Sequence, residues 1–507
     1  MNDQRRGYIV LTVNTLAFMI CFAAWMMNSV LITYLVDNDV YQWDKAQMGW
    51  LIGIPVLTGA VARLPGGILT DRYGGRIVFG TLLLISSVPM FLVSFADSYL
   101  HFLLTGLGFG LTGASFAIGI AYTSVWFSPE RQGTALGIFG AGNAGAALTA
   151  MGAPFILRLL TDNGANLEGW RTLPQIYAAT LVITGVLFFL LTHSRKVEQI
   201  EGLTLMDRLS PLRHIRVWRF GLYYFLVFGG FVALAQWLVP YYVNAYSMTI
   251  ASAGLMTSIF SLPSGVIRAL GGWMSDYWGA RTVMYWVLGI CVICFILLIV
   301  PRMDIQSPGQ GVTAARTGTV TSVGPDEIIV ADKTYALSPR QEVSAEDREE
   351  GVLVFPTSSF WHEPVVDVGD EVEKKELLAR GVTNIYFQAN VWIFTAFVFI
   401  AGIAMGIGKA AVYKHIPDYF PNDVGVVGGM VGVLGGLGGF ICPVIFGYLL
   451  RGTGIWTTAW MFLAIVSVIS LVWMHLVIQR MMKQRTPTLV RQFEEVTELQ
   501  PNVNKAD

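Results

Sequence analysis

Three unbroken apolar runs constrain the fold more than any other feature: "IYAATLVITGVLFFLLT" (176–192), "VMYWVLGICVICFILLIV" (283–300) and "TAWMFLAIVSVISLVWMHLVI" (458–478). Runs of roughly 17 to 25 apolar residues match a bilayer core about 30 Å thick. A backbone inside hydrocarbon must satisfy its own hydrogen bonds, so each run is expected to be a helix. Buried helices of a soluble protein do not absorb so many such runs. Only 13% of the 507 residues are charged and 54% are hydrophobic, whereas a soluble domain is about a quarter charged. The chain reads as an integral membrane protein with the lipid bilayer as its first partner. The stretch "RRGYIVLTVNTLAFMICFAAWM" (5–26) is too long for a signal-peptide core and no A-x-A site follows it. It reads as a retained first span.

The hydropathy pattern predicts twelve spans, near 8–34, 47–70, 77–96, 99–125, 133–160, 173–193, 216–244, 250–275, 282–301, 387–416, 424–450 and 456–480. Loops on one side carry Arg5, Arg6, Arg72, Arg76, Arg131, "RLSPLRHIRVWR" (208–219), Arg281, Lys414 and "QRMMKQR" (479–485). Loops on the other side read "VDNDVYQWDKAQ", "ADSY", "TDNGANLEGWRT" and "NAYSMT". Lys and Arg collect on the cytoplasmic side, so both termini are expected there, in a plasma (inner) membrane. Cys21, Cys291, Cys294 and Cys442 all fall in apolar segments. A redox or metal role needs accessible thiolates, so these read as packing residues, and no cofactor is expected.

Residues 304–381 are different in kind, with 15 acidic and 7 basic side chains in a chain whose net charge is −1. Following span nine, they are expected outside the cytoplasm. The segments "GTVTSV", "EIIVAD", "VLVFP" and "EPVVDVGDEVEKKELLARG" read as short strands with polar turns. The last resembles part of a barrel-sandwich hybrid, the small β fold of biotinyl and lipoyl domains. It lacks a Met-Lys-Met or lipoyl-lysine hairpin, so Lys374 and Lys375 read as solvated. A protein partner for this insert is not defined by the sequence.

An arginine inside span two is repeated. "VARLPGGILTDRYGGR" (61–76) lies on "VIRALGGWMSDYWGAR" (266–281) without a gap. Arg63 falls on Arg268, Gly66-Gly67 on Gly271-Gly272, Asp71 on Asp276, Gly74 on Gly279 and Arg76 on Arg281. A looser repeat joins "GTALGIFGAGNAGAALTAMGAP" (133–154) to "GVVGGMVGVLGGLGGFICP" (425–443), with Gly133, Gly137 and Gly140 on Gly425, Gly429 and Gly432. The expected architecture is an all-α membrane protein of two pseudosymmetric six-helix halves. Its parts are 1–200, then 201–303 with 386–483, a β-rich insert at 304–385 between helices nine and ten, and a polar tail at 484–507.

Asp71 begins the turn after span two, and Arg63 precedes it by two helical turns, so Arg63 lies roughly 12 Å deeper. That is close to the midplane, and Arg268 reaches the same depth. A buried arginine costs about 2.5 to 3.5 kcal/mol on insertion scales. The mid-span sequences offer almost no carboxylate to offset it. Two facing guanidiniums without a resident acid make an anion site, and their planar forks suit a flat oxyanion.

At these residues the chain resembles a known family. "GGILTDRYGGR" resembles the loop 2–3 signature of the major facilitator superfamily. The paired arginines and the glycine-rich helices five and eleven resemble the nitrate/nitrite porter family. The resemblance implies a twelve-helix major facilitator fold that holds one planar anion, nitrate or nitrite, between Arg63 and Arg268. It implies aromatic faces at Phe116, in "GASFAIGIAYTSVWFSPERQG", and at Tyr224 and Phe228, in "LYYFLVFGGF". It places Asn143, in "GAGNAGAA", near the site as an amide donor. It also implies that Asp71, Arg72 and Arg76, with the matching Asp276 and Arg281, gate the cytoplasmic face. The glycines would let helices approach and slide, although packing alone explains them equally well.

In "GIGKAAVYKHIPDYFP" (406–421), Lys409 resembles the form associated with proton-coupled nitrate uptake. Buried lysine can shed its proton near neutral pH, so Lys409 is a proton-coupling candidate; it could equally add only positive potential. Lys414 and His415 read as interfacial. The expected function is nitrate import by proton symport. Nitrate/nitrite exchange is the alternative, and an anion sensor built on a transporter core is an alternative of another class. An organic-anion exchanger would need a roomier cavity. No catalytic triad, phosphate loop or metal-ligand cluster points to an enzyme, and nothing points to nucleic acid.

Overall fold

The computed structural model describes residues 3–195, 210–300, 303–340, 357–387, 390–420 and 424–485. The chain divides into two compact units. One comprises Met1–Leu297, Val398–Gly454 and Thr458–Asp507; the other comprises Leu298–Phe397 and Ile455–Thr457.

Eleven helices among the described residues are long and apolar enough to cross a membrane. They are α1 (Gln4–Asp37), α2 (Lys45–Tyr73), α3 (Gly75–Phe95), α4 (Tyr99–Ser124), α5 (Thr134–Leu160), α6 (Leu167–Leu191), α7 (Ile215–Tyr246), α9 (Ala280–Leu297), α10 (Val391–Ile416), α11 (Val427–Thr453) and α12 (Thr458–Met482). A twelfth, α8, is the pair Ile250–Val266 and Arg268–Trp278, bent by 46° at the break. Large apolar side chains such as Ile183, Leu190, Trp286, Ile465 and Leu476 are exposed. A soluble protein would bury such a surface; here it faces hydrocarbon.

Local chemistry fixes several helix ends. The Asp44 carboxylate accepts from Gln47 N–H at 2.8 Å while Gln47 Oε1 accepts from Asp44 N–H at 2.9 Å, so a capping box starts α2. Ser98 and Thr249 cap α4 and α8 in the same position. Both copies of the repeated phrase end on a glycine in the left-handed region, Gly74 at φ 85° and Gly279 at φ 82°. A side chain there would be strained, which explains why the phrase keeps glycine in both halves.

Several helices are interrupted near their middles. In α2 the helix breaks at Ala62, and the second segment starts at Arg63. Pro65 has no N–H for the Val61 carbonyl and crowds it, which accounts for the break. In α8 the break is at Ile267 and the next segment starts at Arg268. There Leu270 stands in place of Pro65, and Gly265 precedes the break. A tight 3-10 turn occupies Gly110–Ala114 in α4 and Ala141–Ala144 in α5. A wider π turn occupies Phe225–Gly230 in α7.

The halves meet closely on the side of α2 that begins at Lys45. A Cβ at Gly49 would lie 2.5 Å from the Pro443 carbonyl oxygen, and one at Gly254 would lie 2.0 Å from that of Ala150. On the other side, a Cβ at Gly67, Gly272 or Gly429 would meet no atom within 4 Å.

Among the described residues the second unit carries seven strands: β1 (Met303–Thr313), β2 (Gly318–Val323), β3 (Glu327–Val330), β4 (Lys333–Ala336), β5 (Thr357–Pro364), β6 (Glu371–Val372) and β7 (Leu377–Phe387). They form a three-stranded sheet, β1-β7-β5, and a four-stranded sheet, β4-β3-β2-β6. Val320, Ile328, Val330, Val372 and Leu378 fill its core. The segments "GTVTSV" and "EIIV" are strands as their alternation predicts. "VLVFP" (352–356) lies outside the described residues. Lys374 and Lys375 are exposed.

Candidate functional site

Helix irregularities and chemistry coincide. Arg63 and Arg268 each follow a break, Phe116 follows the turn in α4, Asn143 lies in the turn in α5, and Tyr224 and Phe228 flank or occupy the π turn in α7. Such turns free backbone groups and re-aim side chains. In hydrocarbon they are tolerated where protein or a polar cavity covers them.

Arg63 is 3% exposed. Its Nη1 donates to the Gly432 carbonyl at 2.8 Å and its Nε donates to that of Gly113 at 3.4 Å. Its Nη2 is buried with no partner. Arg268 is half-buried, and its Nη1 is likewise buried without a partner. Among the described residues no carboxylate pairs with either guanidinium. Carbonyls satisfy part of the Arg63 fork, but they cannot neutralise it.

One ring serves both cations. The guanidinium carbon of Arg63 lies 5.3 Å from the centroid of Phe116, and that of Arg268 lies 5.2 Å from it. Arg63 also lies 4.8 Å from Phe228 and 5.9 Å from Trp25. Phe228 stacks on Tyr224 with centroids 5.0 Å apart and planes 4° apart. The Tyr224 hydroxyl is buried without a partner. Each close ring–cation contact is worth about 0.5 to 2 kcal/mol depending on desolvation. Together they lower the cost of the two charges without cancelling them.

The structure thus brings Arg63, Arg268, Phe116, Tyr224 and Phe228 together. Asn143 is fully buried, and its Nδ2 donates to the Gly140 carbonyl at 2.8 Å. One of its N–H groups is therefore committed to its own helix, while Oδ1 has no partner. Lys409 is fully buried. Its Nζ sits 3.1 Å from the Phe231 centroid and 3.4 Å from both O and Oγ of Ser264, one turn before Arg268.

Two aromatic residues escaped the sequence reading. Tyr413 lies 5.5 Å below the Arg268 guanidinium, packs edge-on against Tyr224 and donates to the Gly428 carbonyl at 3.0 Å. It is one helical turn from Lys409, a spacing that would have found it. Trp25, whose indole donates to the Pro55 carbonyl at 2.9 Å, had no motif to reveal it.

The five candidate gate residues are half-buried or exposed at helix ends. Arg76 donates to Phe189 in α6, and Arg281 donates to the Tyr419 hydroxyl beyond α10, each at 2.5 Å. Asp276 pairs with Lys414 at 2.6 Å, and Arg72 lies 5.3 Å from the ring of its neighbour Tyr73. These contacts stay within one half of the bundle. One interfacial expectation gains a partner here and the other changes. Lys414 is the ionic partner of Asp276. His415 is only 4% exposed and stacks on Phe220 at 5.6 Å with planes 6° apart, because α10 carries it in under α7.

A twelve-helix bundle in which two guanidiniums at matching helix breaks each bury an unpartnered nitrogen, with no carboxylate paired to either among the described residues, has the architecture of a membrane transporter rather than an enzyme. Solved structures agree on the fold: a bacterial homologue of the human lysosomal transporter Spinster, inward-facing and occupied, matches with a TM-score of 0.61 and 14% identity over 94% of this chain and 98% of that one. The nucleoside transporter NupG matches with a TM-score of 0.59 and 12% identity over 92% and 99% of the two chains. The family model for the Major Facilitator Superfamily matches residues 15–320 and 377–500. A probable nitrate/nitrite antiporter, NarK1 of Thermus thermophilus, is 37% identical over 96% of this chain and 95% of its own length. The nitrite extrusion protein of Bacillus subtilis is 25% identical over 93% and 95%. A probable nitrate transporter, NarT of Staphylococcus epidermidis, is 26% identical over 93% and 97%. The chain belongs to the nitrate/nitrite porter family of the major facilitator superfamily.

Proposed function

We propose that this protein is a secondary transporter that imports nitrate with protons, clamping the anion between Arg63 and Arg268. The observation that carries the clamp is the pair of buried, unpartnered Nη atoms on two guanidiniums that share the Phe116 ring. A planar monovalent anion supplies the missing charge and accepts from both forks. The apolar faces of Phe116 and Phe228 suit a weakly hydrated anion, and the orphan Tyr224 hydroxyl supplies one more donor. The relatives, named for nitrate and nitrite transport, support the same substrate class.

Lys409 is the proposed proton carrier, and burial of its ammonium against Phe231 and Ser264 supports this role. Nitrate/nitrite exchange is the second reading, favoured by the name of the Thermus relative. Asp71, Arg72, Arg76, Asp276 and Arg281 are the proposed gate. Both termini lie in the cytoplasm of a plasma (inner) membrane and 304–385 lies outside, in keeping with the loop charges. With that orientation, open space at Gly67, Gly272 and Gly429 fits a transporter open to the cytoplasm. Proteoliposomes loaded with nitrate or nitrite under a set pH gradient test the reading. Proton-driven accumulation supports symport, a requirement for internal nitrite supports exchange, and no flux under either condition sinks both.

A further inference from the structure

Away from the central site, a second group of cations has no ion-pair partner among the described residues. Arg219, in the first turns of α7, is only 7% exposed. Its guanidinium carbon lies 5.5 Å from the Phe220 ring, and among the described residues no carboxylate pairs with it. Arg216 and Arg281 lie 5.4 Å and 5.8 Å from the ring of Tyr419, which itself packs 5.6 Å from Phe220. The hydroxyl of Tyr223, a residue 1% exposed, is buried with no partner. Arg219, Phe220, Tyr223, Arg281 and Tyr419 line a cavity of about 20 Å³ together with Met474, Val477, Ile478 and Met481 of α12.

We propose that this pocket seats the phosphate headgroup of an anionic membrane lipid, with an acyl chain laid along α12. Guanidinium forks grip phosphate oxygens, and the stranded Tyr223 hydroxyl completes the donor set. The enclosed space holds about one water-sized group. A whole soluble phosphate ester does not fit inside; a headgroup oxygen enters while the rest lies at the mouth. The α12 residues of the lining alternate along that helix with Val472, Leu476 and Met482, which are exposed. That is where a lipid chain already runs. Basic clusters at a helix end attract anionic headgroups.

The test is lipid binding by the purified full-length protein, read by native mass spectrometry and by thermal melting, with phosphatidylglycerol, phosphatidylcholine and inorganic phosphate as probes. Wild type should retain phosphatidylglycerol and melt later in its presence. Arg219→Gln should weaken retention by about fivefold to tenfold, and Arg219→Lys by less. Tyr223→Phe keeps the ring and should also weaken retention, so the test survives if Arg219→Gln does not fold. Undiminished phosphatidylglycerol retention in Tyr223→Phe and Arg219→Gln overturns the proposal. So does equal retention of phosphatidylcholine, or an equal melting shift from inorganic phosphate. The readout is binding rather than flux, so it stands or falls separately from the transport reading.

Discussion

Arg63, in the first half of the bundle, donates from Nη1 to the Gly432 carbonyl, in the second half, at 2.8 Å. In the other half the matching approach is one of packing, without a hydrogen bond. A Cβ at Gly140, the residue that matches Gly432 in the repeat, would lie 3.4 Å from Cδ of Arg268. Each half thus lends its arginine to a glycine-rich helix of the other. A cation that binds a carbonyl across the interface can exchange that acceptor for an anion, and the exchange is felt by both halves.

Replacing either arginine with lysine keeps the charge and loses the fork. Initial nitrate uptake into proteoliposomes should fall at least about tenfold in Arg63→Lys and in Arg268→Lys. Uptake at the wild-type rate in either variant rules out the clamp.

Lys409→Gln removes the only ammonium buried beside the α8 break among the described residues. Nitrate flux down its own gradient should persist, while accumulation driven by a pH gradient should vanish. Undiminished proton-driven accumulation would reassign Lys409 to a purely electrostatic role.

Phe116→Ala takes away the ring that both guanidiniums share. The nitrate concentration for half-maximal uptake should rise about tenfold, in line with the loss of two ring–cation contacts and their packing. Phe116→Tyr, which keeps the ring, should stay within about threefold of wild type. Equal behaviour of the two variants would show that the ring face is irrelevant.

Glycine substitutions should separate packing from open space. In Gly254→Ala the new methyl would meet the Ala150 carbonyl at 2.0 Å, so the melting temperature in detergent should drop by several degrees. In Gly429→Ala the methyl meets nothing within 4 Å, so melting should be unchanged. If the halves close there during transport, flux in Gly429→Ala should still fall. A stable and fully active Gly429→Ala would remove that side from the gate.

The arginine pair could be read from residues alone, whereas Phe116, Tyr224 and Phe228 came only through the family resemblance. A charge in an apolar span is costly, so its repetition at one spacing carries information that packing residues do not. The helix breaks were only half legible. Pro65 announces the first, but nothing at Leu270 announces the second, and the π turn in "FLVFGG" arises from how α7 packs against α11. Gly229 there sits 2.6 Å, by its missing Cβ, from the Gly435 carbonyl. His415 misled for a similar reason. Its place near a helix end reads as interfacial, yet its ring is paid for by stacking on Phe220, a contact that only the third dimension supplies.

The interruptions in α2, α4, α5, α7 and α8 have a mechanical consequence. Each places a softer turn inside a long helix, and in α8 it bends the helix by 46° beside Arg268. The fulcrum of any rocking between halves therefore coincides with the berth of the proposed cargo. A load carried at the pivot travels almost no distance while the arms swing, so access can alternate without the anion being released from its grip.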